Sequence, residues 1–509
     1  MNLFAQLDHK HVWHPFTQMR DWMRAEPIVI ASGKGAWLQD VNGHKYLDAN
    51  SSIWTNLHGH QHPRINAAIR HQLQRIAHSS ALGLANEPAS VLAEKLVGAA
   101  RVERAVAKPS GGNVPVRDAK DKLSKVFFSD DGSTALEVAL KLAYEYTRRT
   151  RGPKTKPKFL SLTGAYHGDT IGAVSLGHID LFHKRFGGML FPTDQVMAPY
   201  CYRCPFNQAR PQREDARKYR QCHWECTGLV AQKFAAQKRR GNPYAAFAYE
   251  PLMQGAAGMI PQPSGWLQQV TDIARAHGAL LIADEVMTGF GRTGLTCHVT
   301  DEAVADILQK PAQAKLFAST RTGVQPDFLC LAKGLTGGYL PMAATLTTKR
   351  IFDAFLGKYE EFKTFFHGHS FTGNQLGAAA GIASMDLLQS AESVRARARL
   401  QQSLQTELAT LWSLPQVGDI RQVGLVAGIE LVKNWQTRAP YELRERAGIR
   451  VCEAMARRGV LTRSIGSVIV LMPPYCTTPK EASRMVAVLG EAIEEVCGKS
   501  KIQMPKIAG

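Results

Sequence analysis

Apolar residues in the middle of the chain come in short unbroken runs. Residues 125–129 (KVFFS), 158–162 (KFLSL), 245–250 (AAFAYE), 279–284 (ALLIAD) and 327–333 (DFLCLAK) lack the period-two alternation of a strand with one wet face. They read as strands buried on both faces. Helical patterns intervene: across residues 135–146, Leu136, Leu140 and Ala143 fall on one side. Strand and helix in alternation predict an α/β fold on a mostly parallel sheet, whose ligands sit beyond the carboxyl ends of the strands.

The two ends of the chain differ. Residues 62–78 space Ile65, Ile69, Leu73 and Ile76 as an amphipathic helix, and 380–411 and 479–497 are helical by pattern. DIRQVGLVAGIELV (419–432) and VIVLMPP (468–474) read as strands of a smaller α+β domain. The expected division is an N-terminal segment, 1–65, joining the small domain; a large domain, 66–365; a C-terminal small domain, 366–500; and a flexible tail, 501–509. Segments 106–124, 201–226 and 299–322 read as insertions.

Composition narrows the classes of function. A chain of 509 residues that is 45% apolar can bury a large core. No apolar run reaches the roughly 20 residues of a membrane helix, and the opening MNLFAQLDHKHVW lacks the basic-then-apolar layout of a secretory signal. Nine cysteines, an odd number spread thinly, argue against a disulfide framework, and a cytoplasmic location is expected. The net charge of +19 raises the question of nucleic acid. Much of the excess lies in loop-like segments such as RRTRGPKTKPK (148–158), without stacking aromatics or a recognition-helix motif, so it reads as solvated surface and not as a nucleic-acid site.

The chemistry gathers after the strands. Gly132, Ser133 and Thr134 follow KVFFS where a strand hands over to a helix, a turn that can seat an anion on free N–H groups or serve as an ordinary N-cap. Tyr166 and His167 follow KFLSL; an aromatic between small residues can lie flat on a planar ring or fill core. Asp284 prolongs five apolar residues, which is costly unless it meets a cation or caps a helix. GFGRTG (289–294) matches a dinucleotide fingerprint by letter but opens no helix early in a βαβ unit, so no such site is expected. Lys333 ends an oily run and is followed by Gly334, Gly337 and Gly338. A phosphate seat, a stackable tyrosine, a buried acid and a strand-end amine together are the parts that hold pyridoxal 5′-phosphate and tie it to protein as a Schiff base. In that reading Asp284 pairs with the pyridine nitrogen and Lys333 forms the imine and carries the proton.

The series GST, YHGDT, DEVMTGFGRTG, LAKGLTGG and FFHGHSFTGNQLG resembles the class III aminotransferases of fold type I over nearly the whole chain. HVWHPFTQMRDW, SSIWTNLHGHQHP and GVLTRSIGSVIVLMPP are similar to the branch of that family that aminates 8-amino-7-oxononanoate to 7,8-diaminononanoate in biotin synthesis. The resemblance implies a seven-stranded sheet and a homodimer with active sites at the subunit interface. It implies Gly132 and Ser133 at the cofactor phosphate, Tyr166 on its ring, Asp284 at its nitrogen and Lys333 as its covalent anchor. It also implies that Ser370, with His369 beside it, reaches the phosphate from the neighbouring subunit and that Gly368 meets substrate through its backbone. The same resemblance implies that Arg463 clamps the substrate carboxylate and that Trp54 and Phe16 line the pocket. Phe16 and Ile53 stand where most members using S-adenosylmethionine as donor carry tyrosine and tryptophan, and both resemble the smaller branch that takes lysine. Another ω-amine transaminase, and a PLP-fold binding or regulatory protein, are the competing readings. Cys201, Cys204, Cys222 and Cys226, with His223, have spacings a zinc site could use, with free thiols in a surface excursion as the alternative; transamination itself needs no metal.

Overall fold

The computed structural model describes residues 1–102, 119–295 and 314–498. Its centre is a seven-stranded sheet in the order Leu123–Ser129, Ala343–Thr348, Phe328–Leu331, Leu280–Asp284, Ala246–Tyr249, Phe159–Leu162, Asp194–Val196. Ala343–Thr348 is antiparallel to both neighbours and the other six strands are parallel to one another. The expected α/β class and mostly parallel sheet are what the chain forms.

Every residue of the Leu280–Asp284, Ala246–Tyr249 and Phe328–Leu331 strands is buried, which is why no polar alternation interrupts them. Leu281, Ala283, Leu329 and Leu331 pack into one core, while Ile282, Ala248, Phe328 and Cys330 enter a second, beneath the helix Gly132–Arg151. Each aliphatic side chain taken fully from water contributes about 1.5–3 kcal/mol. That helix starts earlier and ends later than residues 135–146. Asp131 caps it: its carboxylate accepts the Thr134 N–H at 3.0 Å, and the Thr134 hydroxyl accepts the Asp131 N–H at 3.0 Å. Gly152, at φ 107°, ends it.

The Phe328–Leu331 strand is shorter than residues 327–333. Asp327 turns its carboxylate to Arg275 at 2.7 Å and Arg350 at 3.0 Å, and Lys333 leaves the strand at φ +43°. Strand pairing joins the two ends of the chain, because Lys45–Asp48 pairs in parallel with Val460–Leu461. Val417–Val423, Val426–Asn434, Val468–Leu471 and Arg463–Ile465 form an antiparallel sheet, with the helices Ala391–Thr410, Ala447–Arg457 and Pro479–Cys497 nearby in sequence. The expected insertion at 106–124 lies mostly outside the described residues, as do 299–313 of the third and the tail 501–509. The second, 201–226, is fastened to the antiparallel sheet by Arg203, which holds Glu430 at 2.7 Å.

Candidate active site

Lys333 and Glu250 follow, and Asp284 ends, three neighbouring strands, and the three face one cavity of about 470 Å³, which Trp54, Gly132, Ser133, Tyr166 and His167 also line. The volume suits a small planar ligand. Lys333 sits in a left-handed backbone conformation that few non-glycine residues adopt, and its ammonium lies 5.3 Å from the centre of the Trp54 indole. Burial pushes its amine below the ordinary value, with the charges of Asp284 and Glu250 opposing. A readily neutral amine is what a lysine nucleophile needs.

Asp284 is buried, and its Oδ2 lies 2.7 Å from Nδ1 of His167; its Oδ1 accepts the Val286 N–H at 3.0 Å. Burial lowers the His167 imidazole, but the hydrogen bond and charge of Asp284 outweigh it and the net shift is upward. His167 thus braces the negative charge of Asp284. Its Nε2 is buried without a partner. Burial lifts the Glu250 carboxyl to about 7, against the pull of His167. Tyr166 donates to Asp169 at 2.7 Å; burial, then that bond, raise its phenol well above the ordinary value, so it stays protonated.

At the other end of the cavity the helix Gly132–Arg151 presents its N-terminus, a fit for phosphate. A Cβ on Gly132 would meet Val286 at 2.8 Å, and one on Gly168, at φ +120°, would collide with Ser133. Both glycines are dictated by close approach around this turn. The acids there are engaged: Asp131 caps the helix and Asp130 holds His369 at 3.0 Å.

The remaining expected residues lie outside the cavity wall. Phe16 is exposed and meets Tyr166 edge-on at 6.5 Å. Arg463 is exposed, and its charge is felt at Tyr166 and Lys333. Gly368 and Ser370 are exposed, and the Ser370 carbonyl accepts from the His78 ring at 2.8 Å. His167 and Glu250 carry no role in the sequence reading. Glu250 gave the same signal as Asp284, an acid closing an apolar run. Cys201, Cys204, Cys222 and Cys226 are free thiols around a separate cavity of about 10 Å³. Among the described residues no three His, Cys, Asp or Glu side chains are grouped so as to hold a metal ion.

A family model described as aminotransferase class-III matches residues 19–310 and 312–493. The chain belongs to the class III aminotransferases. It is 45% identical over 488 residues, 96% of this chain and 81% of the relative, to the adenosylmethionine-8-amino-7-oxononanoate aminotransferase of Nitratidesulfovibrio vulgaris. It is 43% identical to the Geobacter sulfurreducens protein of that name, over 96% of this chain and 97% of the relative. The solved structure of the Methanocaldococcus jannaschii aminotransferase of that name superposes with a TM-score of 0.81 at 36% identity, covering 97% of this chain and 99% of that one. An omega transaminase from Pseudomonas jessenii in complex with PMP superposes at 0.82 and 26% identity, over 98% and 99%.

As a class III aminotransferase the protein uses pyridoxal 5′-phosphate. The residues present fit that group: an open helix N-terminus for the phosphate, a buried carboxylate braced by histidine for the ring nitrogen, and a buried amine of lowered basicity for the carbonyl.

Proposed function

We propose that this aminotransferase converts 8-amino-7-oxononanoate to 7,8-diaminononanoate in biotin biosynthesis, with S-adenosylmethionine as amino donor. The reading is carried by the name shared by relatives at 45% and 43% identity along nearly the whole chain, joined to Lys333 and Asp284 at the ends of adjacent strands.

When bound, pyridoxal 5′-phosphate supplies the carbonyl that receives the amino group and the ring that withdraws electrons from the bond being broken. The chain supplies the rest. Gly132, Ser133 and their helix would hold the phosphate, Tyr166 would lie against the ring, and Asp284 would keep the ring nitrogen protonated. Lys333 would anchor the group and, once its amine is released, move the proton at the substrate carbon. Arg463 would grip the substrate carboxylate with its planar fork. Trp54 and Phe16 would line the substrate space, and Gly368 would meet substrate through its backbone.

His369 and Ser370 would serve the cofactor end of a second copy, giving a homodimer with active sites at its interface. Phe366 and Phe371, flanking Ser370, are exposed in the single chain, apolar surface that a second copy would cover. A cytoplasmic location suits the unpaired thiols. Among the described residues no helix is long and apolar enough to cross a membrane.

A second reading, lysine as donor, is favoured by Phe16 and Ile53. Cofactor-loaded protein given 8-amino-7-oxononanoate with either S-adenosylmethionine or lysine tests both, with 7,8-diaminononanoate read by mass spectrometry. Product with S-adenosylmethionine is expected. Product with lysine alone replaces the donor. No product from either, with ornithine or β-alanine turned over instead, moves the chain to the ω-amine transaminases.

A further inference from the structure

Three neighbouring strands deliver charge to one cavity: Lys333 follows Phe328–Leu331, Asp284 ends Leu280–Asp284, and Glu250 follows Ala246–Tyr249. The first two have roles in the proposed chemistry. Glu250 has none, although it is only 6% exposed and a buried carboxylate without full hydrogen bonding costs several kcal/mol.

Its surroundings are specific. Glu250 Oε2 accepts the Gly255 N–H at 2.8 Å, while Oε1 is buried with no hydrogen-bond partner. His167 has the matching deficit: Nδ1 is engaged with Asp284, and Nε2 is buried with no partner. His167, Asp284 and Lys333 bear on Glu250 by charge, and the backbone N–H groups of Gly255 and Tyr166 face it. Lys333 in turn feels Asp284, Glu250 and the opposing charge of Arg463.

We propose that Glu250 is a buried proton store for the site, taking up a proton as Lys333 loses its positive charge and returning it as that charge is restored. The charge count gives the reason. Among the chain's own groups, Lys333 as ammonium, His167 as imidazolium, and Asp284 and Glu250 ionised sum to zero; the ring nitrogen and phosphate of the bound cofactor would carry opposite charges of their own that do not change as Lys333 loses its proton. When the Lys333 N–H bond breaks and its proton leaves, the same set carries an uncompensated negative charge in a medium of low dielectric. Forming an O–H bond on Glu250 with that proton returns the sum to zero, while His167 keeps its hydrogen bond to Asp284. A carboxyl poised at about 7 by burial can make that exchange near neutral pH. Asp284 has both carboxylate oxygens engaged, by His167 and by the Val286 N–H, whereas Glu250 has Oε1 free to carry a proton.

This role rests on the transaminase reading, in which the Lys333 amine changes charge during turnover. It is tested first by titrating the visible absorption band of cofactor-loaded protein against pH. Replacing Glu250 by Gln removes a negative charge near Lys333, so the midpoint is expected to fall by about one pH unit, a tenfold loss of proton affinity. Glu250→Asp, which keeps the charge, stays nearer the wild type. A folded, yellow Glu250→Gln protein with an unmoved midpoint overturns the proposal.

The second measurement needs no variant of Glu250. Infrared spectra of wild-type protein carrying 13C-labelled glutamate report the C=O stretch of a protonated acid. Glu285, also buried and lifted to about 7, gives a second such signal, and Glu285→Gln removes it. The signal that remains is expected to grow when an amine substrate displaces Lys333. A remaining signal indifferent to both pH and substrate overturns the proposal. A wild type that never turns yellow sinks the transaminase reading instead, and the same chain then decides this one through the pH midpoint of Lys333 acylation, which must fall in Glu250→Gln.

Discussion

The Lys333 ammonium sits over the Trp54 indole, 5.3 Å from the ring centre, and Trp54 is fixed there by a 2.9 Å hydrogen bond from its Nε1 to Asn50 Oδ1. Ser51, Ser52, Ile53 and Trp54 all have positive φ, with no glycine among them. Each such residue costs of order 1 kcal/mol, and the surrounding fold must over-determine the conformation for it to persist. The Ser51 hydroxyl donating to the Met472 carbonyl at 2.7 Å and the Ser52 hydroxyl bonded to Asp48 at 3.2 Å are two of the ties that do so. The strained run aims an aromatic face at the reactive amine.

Trp54→Ala therefore removes both a cavity wall and a cation–π partner, an interaction of about 1–2 kcal/mol at a desolvated site. The expected result is a fall in kcat/KM of about fivefold to thirtyfold. Cofactor loading, followed by absorbance, is expected to stay near normal, because none of the phosphate-end residues is touched.

Lys333→Ala tests the anchor directly. Wild-type protein treated with borohydride is expected to yield a peptide containing Lys333 with a stably attached cofactor, and the variant none. Loss of the residue that would move the proton is expected to lower turnover by at least about 10²–10⁴. The variant should still hold cofactor non-covalently, through the helix N-terminus at Gly132 and the acid at 284.

The large sheet was legible because strands buried on both faces must be apolar without interruption, and Lys333 and Asp284 were legible because a charge after such a run is costly. Glu250 carries the same signal. It escapes because Pro251 follows it, so that AAFAYEP reads as a strand ending in a turn. His167 is visible beside Tyr166, but its partner lies 117 residues away and only the strand order brings the two together. The strain at Ser51 to Trp54 is illegible because these residue types do not advertise positive φ. Gly368 and Ser370 lie outside the cavity of a single chain, so their roles could enter only through resemblance.

Glu285 should make stability fall as pH rises. It is fully buried, accepting the Ala318 N–H at 2.6 Å and the Ser319 N–H at 2.7 Å, and burial lifts its carboxyl from 4.5 to about 7. Between those values the folded chain binds a proton that the unfolded chain has released. The contribution is full below 4.5 and lost as pH rises through about 7. Glu285→Gln removes the titration. Urea unfolding of both proteins should show the wild type losing stability relative to the variant by up to about 3 kcal/mol between pH 5 and pH 8.

Arg421 is wholly buried and joins Asp419 at 3.0 Å and Glu430 at 2.6 Å, while Glu430 also holds Tyr200 and Arg203 at the start of the 201–226 insertion. Removing one member leaves buried charge without its partner. Arg421→Ala is expected to cost about 3–5 kcal/mol by chemical denaturation and to loosen the insertion, read as faster proteolysis between residues 203 and 220. Replacing Arg421, Asp419 and Glu430 together by apolar residues of similar volume should cost much less.

Arg463 offers the sharpest separation of substrate from chemistry. It is exposed and is not among the residues lining the cavity, while its charge reaches Tyr166 and Lys333. A guanidinium fork on a carboxylate makes two charge-assisted hydrogen bonds, together worth about 2–3 kcal/mol. Arg463→Ala is therefore expected to raise KM for 8-amino-7-oxononanoate about thirtyfold to a hundredfold, while the rate of proton transfer from a simple amine lacking a carboxylate hardly changes. Arg463→Lys, a point charge without the fork, should recover part of the loss. Equal losses on both substrates would mean that Arg463 supports the fold of the site and does not select its ligand.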